Sequence, residues 1–251
     1  MDRAGVTRGA PFYTADSVTK SFGGRQVLKS ASVWGWRGAI TVMLGRNGSG
    51  KSTLMRIGAG VLRADSGTVH MGGRTYQRPR LHELARAGLY FHPERGCLPI
   101  YGSLHDHLDA IIARFGGRYD EAIDLTGMAE LIDVPLIELS GGELHRAEVA
   151  SCIARAPSCL IADEPYAGVS PIDAERLTLA LNHLRARGCA IITSGHDVPA
   201  LMAVADEVVW VTSGTTHALG GPAEAADHHQ FATEYLGPSL RYSARPHSPV
   251  F

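Results

Sequence analysis

The feature that most constrains the fold is a strand, a glycine-rich loop and a helix in direct succession. The run from Ala39 to Leu44 is almost entirely apolar, as expected of a strand buried on both faces. It leads into Gly45-Arg-Asn-Gly-Ser-Gly-Lys-Ser52, which matches the phosphate-loop pattern G-x-x-x-x-G-K-[ST] in full. A helix is predicted to begin near Lys51. This order of elements predicts an α/β fold with a P-loop NTPase core.

The composition of this loop suits phosphate binding. Several backbone N–H groups must converge on the phosphate oxygens, and the start of a helix adds the positive end of its dipole. Lys51 is predicted to neutralise the terminal phosphates, and the Ser52 hydroxyl to bind magnesium. The predicted nucleotide-binding residues here are Gly45, Arg46, Asn47, Gly48, Ser49, Gly50, Lys51, Ser52 and Thr53.

Further apolar strands alternate with helices along the chain. Strands are predicted at 39–44, 89–91, 159–162, 189–193 and 208–211, and helices at 81–87, 143–155 and 171–187. This alternation predicts a mostly parallel sheet with crossover helices. Residues 18–34, around the turn at Phe22-Gly23-Gly24, predict an N-terminal antiparallel β subdomain. Helical spacing between Ser103 and Ile137 predicts a small helical insert.

Two carboxylates follow one of the buried strands. Asp163 and Glu164 come directly after the apolar run 159–162, at the carboxyl edge of the sheet, where ligands bind in doubly wound folds. Asp163 is predicted to hold magnesium, and Glu164 to orient the attacking water. A solvated acidic turn is the alternative for this pair taken alone, but the phosphate loop favours the catalytic interpretation.

The motif Leu139-Ser-Gly-Gly-Glu143 points to a named family. With these motifs in this order, the sequence resembles the ATP-binding cassette (ABC) ATPases from about Tyr13 to Gly237. The resemblance implies that Phe22 stacks on adenine, with Val27 also in the ATP site. It implies that His196 is the switch histidine, which would hydrogen-bond the γ-phosphate beside the catalytic Glu164. Glu94 falls where the family usually has glutamine, and it keeps an oxygen ligand near magnesium.

The motif at 139–143 also has a physical interpretation. Ser140, Gly141, Gly142 and Glu143 open a predicted helix, so they form a second anion-binding helix start with a capping hydroxyl. The resemblance implies that this signature in one subunit covers the nucleotide of another. A second cassette subunit, identical or different, is therefore an expected partner. A plain helix cap is the alternative for the motif in isolation.

The resemblance also implies a domain organisation, with some departures from the family pattern. One ABC ATPase domain is expected over 11–237, with its helical insert at about 95–142 and a poorly ordered tail over 238–251. The family usually has Leu-Asp where this chain has Val169-Ser170, and Asp173 is predicted to lie on the following helix. His-Pro-Glu-Arg at 92–95 and Tyr-Leu-Gly at 235–237 most resemble ATPases of branched-chain amino-acid importers or lipopolysaccharide exporters.

Charge and hydropathy limit the possible partners. The formal net charge of -1 gives no overall field toward nucleic acid, so no nucleic-acid partner is expected. No run approaches the ~18 apolar residues that span a membrane. The four cysteines lack any Cys-x-x-Cys pair, which favours reduced thiols.

The resemblance implies ATP and Mg²⁺ as cofactors. It also implies a separately encoded transmembrane permease that docks beside residues 94–104, and a cytoplasmic location at the inner face of the cell membrane.

Two alternatives to a transporter subunit are considered. A soluble ABC ATPase, such as an iron–sulfur assembly component, shares the same motifs and stays open at this point. A phosphate-loop kinase or GTPase would leave the signature at 139–143 and His196 without a role. The motifs therefore favour ATP hydrolysis coupled to transport.

Overall fold

The computed structural model describes residues 9–94 and 96–236, so the predicted tail at 238–251 lies outside the described residues. The strands are β1 (Tyr13–Phe22), β2 (Arg25–Gly35), β3 (Ala39–Leu44), β4 (Ser66–Met71), β5 (Arg74–Tyr76), β6 (Leu89–His92), β7 (Cys159–Ala162), β8 (Ala190–Ser194), β9 (Glu207–Thr212) and β10 (Thr215–Gly220). The α-helices are α1 (Lys51–Gly58), α2 (Leu81–Arg86), α3 (Leu104–Phe115), α4 (Asp120–Thr126), α5 (Gly141–Arg155), α6 (Pro171–Ala186), α7 (Val198–Val204), α8 (Pro222–Asp227) and α9 (His229–Phe231). Single 3₁₀ turns lie at Ala129–Leu131 and Leu136–Glu138, and a π-helical turn at Ala232–Leu236.

The larger sheet has the strand order β10-β9-β3-β8-β7-β6. Every neighbouring pair is parallel except the β9–β10 hairpin. β3 lies inside this sheet, and all of its residues are buried because both faces are covered. The predicted mostly parallel sheet is confirmed.

A smaller antiparallel sheet has the order β2-β1-β4-β5. The predicted pairing of β1 with β2 is confirmed. The sequence did not reveal β4 and β5, because they are short and mix exposed polar residues with few buried ones. Apolar residues between the two sheets, including Tyr13, Leu28, Met43 and Leu54, form one core.

The helices of the predicted insert pack against α5 and α6, whose core includes buried residues from the other face of the larger sheet. Leu104 and Leu108 of α3 are fully buried in a core shared with α5 and α6. α5 begins two residues before the predicted start at Glu143, because Ser140 caps the helix. All four cysteines are free thiols, as predicted. Within the described residues, no helix combines the length and apolarity needed to cross a bilayer.

Candidate active site

The phosphate loop connects β3 to α1 and encloses a lysine. Gly50 precedes the helix with φ +110°, a left-handed conformation that favours glycine. Lys51, the first residue of α1, is only 4% exposed. Its Nζ donates to the carbonyl oxygens of Gly45 at 2.7 Å and of Arg46 at 3.3 Å. The loop backbone is therefore folded around the ammonium group.

The surroundings of Lys51 favour the binding of an anion. Burial lowers the pKa of Lys51, because it removes water from the charged form, and the carboxylates of Glu164 and Asp163 act in the opposite direction. A phosphate placed beside Nζ would stabilise the ammonium form further. The structure thus supports the phosphate-binding role predicted for this residue.

Gly45 lets the loop begin against the neighbouring strand. A Cβ at this position would overlap the carbonyl oxygen of Val211 and approach Ser49 Oγ to 2.9 Å. We expect Gly45→Ala to lower the free energy of unfolding by about 1–3 kcal/mol, the usual effect of overpacking. Gly141→Ala is the matched control, because a Cβ there meets nothing within 4 Å. Denaturant unfolding of both variants checks this, and equal stabilities would contradict the packing argument.

The acidic pair, Asp163 and Glu164, lies at the carboxyl edge of the larger sheet, as the sequence predicts. The Ser52 hydroxyl donates to Asp163 Oδ1 at 3.1 Å, and the Ser194 hydroxyl donates to the same oxygen at 2.8 Å. Ser194 Oγ also accepts from the backbone N–H of Glu164 at 3.1 Å. Since β8 lies between β3 and β7, its carboxyl end brings Ser194 between the phosphate loop and the acids. We had not predicted Ser194, although a polar residue ending a buried strand was the available signal.

Glu164 and His196 form a close pair. Glu164 Oε1 lies 2.9 Å from His196 Nε2, and the glutamate side chain is largely buried. Glu164 has φ +52°, a left-handed conformation that costs a non-glycine residue about 1–2 kcal/mol. Strain of this kind concentrates at functional sites, where the surrounding structure holds it in place. The pair therefore places a strained carboxylate and an imidazole in direct contact at the sheet edge.

One open pocket contains most of the predicted residues. Its walls are formed by Val27, Asn47, Gly48, Gly50, Lys51, Ser52, Thr53, Glu94, Glu164 and His196. The Ser49 side chain is buried beside Gly45, and its hydroxyl has no hydrogen-bond partner among the described residues. The structure thus brings the phosphate loop, the acidic pair, His196 and Glu94 to one place.

Two predicted residues point elsewhere. Phe22 is 47% exposed at the end of β1, with the Lys20 ammonium 5.3 Å from its ring centroid, and it does not line the phosphate pocket. The Arg46 guanidinium donates to the carbonyl oxygen of Glu234 at 2.8 Å, so its side chain secures the π-helical turn at 232–236. Tyr235 in the same turn hydrogen-bonds the backbone of Gly45. The C-terminal turn therefore packs on the phosphate loop.

The signature residues lie outside this pocket. Ser140 and Glu143 form a reciprocal cap on α5, with Ser140 Oγ donating to Glu143 Oε2 at 2.6 Å. Gly141 and Gly142 form the first turn, and the Gly142 backbone lies against Asp173 of α6, where a Cβ would come within 3.1 Å of Oδ2. Asp173 also contacts Arg146 Nε at 3.5 Å. The predicted helical position of Asp173 is confirmed, and its carboxylate packs against the first turns of α5.

Comparisons with known proteins agree with this geometry. The family model described as ABC transporter matches residues 28–167. The zinc import ATP-binding protein ZnuC of Halorhodospira halophila is 31% identical over 240 residues, covering 91% of this chain and 85% of the relative. The lipopolysaccharide export system ATP-binding protein LptB of Escherichia coli is 29% identical over 236 residues, covering 91% and 98%.

A solved structure shares the fold. The ADP conformation of an ATP-binding cassette of an ABC transporter superposes with a TM-score of 0.78 at 22% identity, covering 92% of this chain and all of that one. The predicted likeness to lipopolysaccharide exporter ATPases is confirmed by LptB. The two relatives named above are transport proteins, and neither is an iron–sulfur assembly component. The chain therefore belongs to the ABC transporter family, as an ATP-binding and ATP-hydrolysing subunit.

Proposed function

We propose that this chain hydrolyses ATP at the pocket formed by its phosphate loop, Glu164 and His196, and that the signature of a second subunit completes each site. Subunits of this family work in pairs with a separate transmembrane permease. The observation that carries the proposal is the run of contacts from Ser52 through Asp163 and Ser194 to Glu164, which ends at His196. It joins the phosphate-binding loop to a strained carboxylate at one sheet edge.

Each residue has a distinct role in this proposal. Lys51 and the backbone N–H groups of the loop bind the phosphates, which neutralises charge and positions the γ-phosphorus. Glu164 orients the attacking water and accepts its proton as the water attacks. His196 lies against the Glu164 carboxylate and would donate its hydrogen bond to the γ-phosphate once ATP is bound. The positive φ of Glu164 is maintained in part by the hydrogen bond from its N–H to Ser194.

The donor set of this pocket fits Mg²⁺. Ser52 Oγ and Asp163 Oδ1 lie 3.1 Å apart, and Glu94 lines the same pocket. These are hard oxygen donors, which magnesium prefers, and the ion usually takes its remaining ligands from water and phosphate. Ser52, Asp163 and Glu94 would hold the ion, and it would supply charge neutralisation on the phosphate oxygens.

The proposal that Ser140 acts in trans can be separated from its capping role. Ser140→Ala should weaken ATP-driven dimerisation at least tenfold, roughly the effect of one lost hydrogen bond to a charged group. It should also cost about 1 kcal/mol of stability through loss of the cap. The dimer dissociation constant, measured by analytical ultracentrifugation with ATP in a hydrolysis-deficient Glu164→Gln background, checks the first effect.

A matched control exists elsewhere in the chain. Ser103 caps α3 through the same kind of reciprocal box, with Asp106 as its partner. Ser103→Ala should cost a similar amount of stability and leave dimerisation unchanged. Equal dissociation constants for the two variants would refute a role of Ser140 at the nucleotide.

The exposed apolar residues support docking of the permease at residues 94–104. Tyr101 is 80% exposed, and Ile100 beside it is 44% exposed, in the segment between β6 and α3. We infer a peripheral location at the inner face of the membrane, held there by this contact. Co-purification with a multispan membrane protein, lost in an Ile100→Asp and Tyr101→Asp double variant that keeps nucleotide binding, tests the site. Retention of the partner by that variant would place the contact elsewhere.

A further inference from the structure

A second cluster of ligand-type side chains lies where the larger sheet meets the helical insert. His92 ends β6, Cys97 follows in the loop toward α3, and Glu148 belongs to α5. One ligand atom from each residue, an imidazole nitrogen, a thiol sulfur and a carboxylate oxygen, lies within 4.8 Å of the other two. The ATP-binding and hydrolysis roles assigned above use none of these side chains.

The cluster is buried and incompletely hydrogen-bonded. His92 is 6% exposed and Glu148 is 4% exposed. His92 Nε2 is 3.5 Å from Glu148 Oε2, which is long for a hydrogen bond, and neither ring nitrogen of His92 has a hydrogen-bond partner among the described residues. Since buried polar groups are normally satisfied, a buried imidazole with no hydrogen-bond partner among the described residues, next to a carboxylate and a thiol, requires an explanation.

A second histidine adjoins the cluster. The His145 ring centroid lies 5.7 Å from that of His92, and His145 precedes Glu148 by three residues, so both lie on one face of α5. His145 hydrogen-bonds the backbone of Pro165, and its Nε2 is buried with no hydrogen-bond partner in the described part of the chain. His145 therefore borders the cluster, while the three ligand atoms that lie together belong to His92, Cys97 and Glu148.

We propose that His92, Cys97 and Glu148 form a binding site for a divalent ion of the zinc type, whose fourth ligand would be a water molecule. Zinc accepts this mixture of sulfur, nitrogen and oxygen donors in tetrahedral sites, whereas Mg²⁺ and Ca²⁺ prefer oxygen alone. The ligands and the ion thus differ in chemistry from those of the nucleotide site.

Occupation of this site would exchange a proton for the ion. Burial and the nearby Glu148 carboxylate raise the pKa of the Cys97 thiol to about 12, so the ion-free thiol is protonated at neutral pH. On binding, the S–H bond breaks, the proton leaves to solvent, and the sulfur forms a bond to the ion. No oxidation or reduction takes part.

The position of the site gives the ion a structural consequence. Glu148 Oε1 already accepts from the backbone N–H of Cys97 at 2.6 Å, so the loop and α5 are in contact. The ion would fix the loop that carries Glu94 to the helix that begins at the signature serine. It would therefore act on the two segments that this chain presents to the nucleotide and to its partner.

Cobalt substitution provides a direct test. The full chain, treated with a chelator and kept free of nucleotide, is titrated with Co²⁺ and in parallel with Zn²⁺. We expect one ion per chain, with intense visible bands of tetrahedral cobalt and a thiolate-to-cobalt charge-transfer band. An ion held at Ser52 and Asp163 would show no thiolate band, since the donors there are oxygens. Absence of the thiolate band would overturn the proposal.

Variants identify the ligands. Cys97→Ser should abolish the thiolate band and weaken Zn²⁺ binding at least about 100-fold. Losing an outer-shell partner can already cost that much, and losing a direct ligand should cost no less. Glu148→Gln should also weaken binding while its amide oxygen still accepts from the Cys97 N–H. Cys189→Ser, at a buried thiol beside β8, is the matched control and should keep both the band and the affinity. Circular dichroism and nucleotide affinity verify folding. Unchanged binding in Cys97→Ser would refute the site.

Discussion

Replacement of Glu164 by glutamine should reduce ATP turnover at least 100-fold and leave ATP binding intact. The amide cannot accept a proton from water, and general-base catalysis typically contributes 10²- to 10⁴-fold. The substitution preserves shape, and the backbone hydrogen bond from Glu164 to Ser194 does not involve the altered group. The amide oxygen can still contact His196 Nε2. The variant should therefore fold, bind ATP and stop before phosphoryl transfer.

The ATP-bound state of this variant should accumulate as a dimer, because hydrolysis is the step that releases the two subunits. Phosphate release under steady-state conditions and size-exclusion chromatography with ATP and Mg²⁺ measure the two effects. Glu175→Gln, the same change at an exposed position of α6, is the control and should behave as the parent chain. A parental rate in the Glu164 variant would show that another group positions the water.

The second large effect is expected on nucleotide affinity. Lys51→Ala should weaken ATP binding at least 100-fold, or about 2.8 kcal/mol at 1.4 kcal/mol per factor of ten. Lys51 is the only lysine among residues 45–53, so no other side chain of the loop can bring an ammonium to the phosphates. Charge-assisted hydrogen bonds to phosphate would be lost without replacement.

Isothermal calorimetry on the purified chain measures this affinity. The chain has three lysines, and Lys29 lies exposed on β2, so Lys29→Ala removes the same charge away from the pocket. That control should bind ATP as the parent does. If Lys51→Ala and Lys29→Ala bind ATP equally well, the phosphate-binding role of Lys51 must be abandoned.

Local sequence determined the framework of this site. The apolar runs ending at Leu44 and Ala162 can be satisfied only by burial on both faces, which makes them interior strands of a parallel sheet. Because parallel strands end at the same edge, the residues that follow them must converge there. The sequence alone therefore predicts a single site for Lys51, Asp163, Glu164 and His196.

Contacts between elements that are distant in the sequence could not be predicted from local sequence patterns. Ser194 joins Asp163 to Glu164 only because β8 lies between β3 and β7, and the direction of the Arg46 side chain depends on the turn at 232–236. The short strands β4 and β5 lack a periodic pattern, so the pairing of β4 with β1 and of β5 with β4 depends on the surrounding core.

The amino-acid sequence by itself thus determined the family, the phosphate loop and the edge where the proposed catalytic carboxylate lies, since these follow from local patterns. Tertiary structure decided which side chains touch across elements. Cys97 and Glu148 are 51 positions apart, yet they meet as α5 packs beneath the loop after β6. This contact depends on packing geometry, which cannot be read from the spacing of residues along the chain. The same contact is the basis of the proposed zinc site.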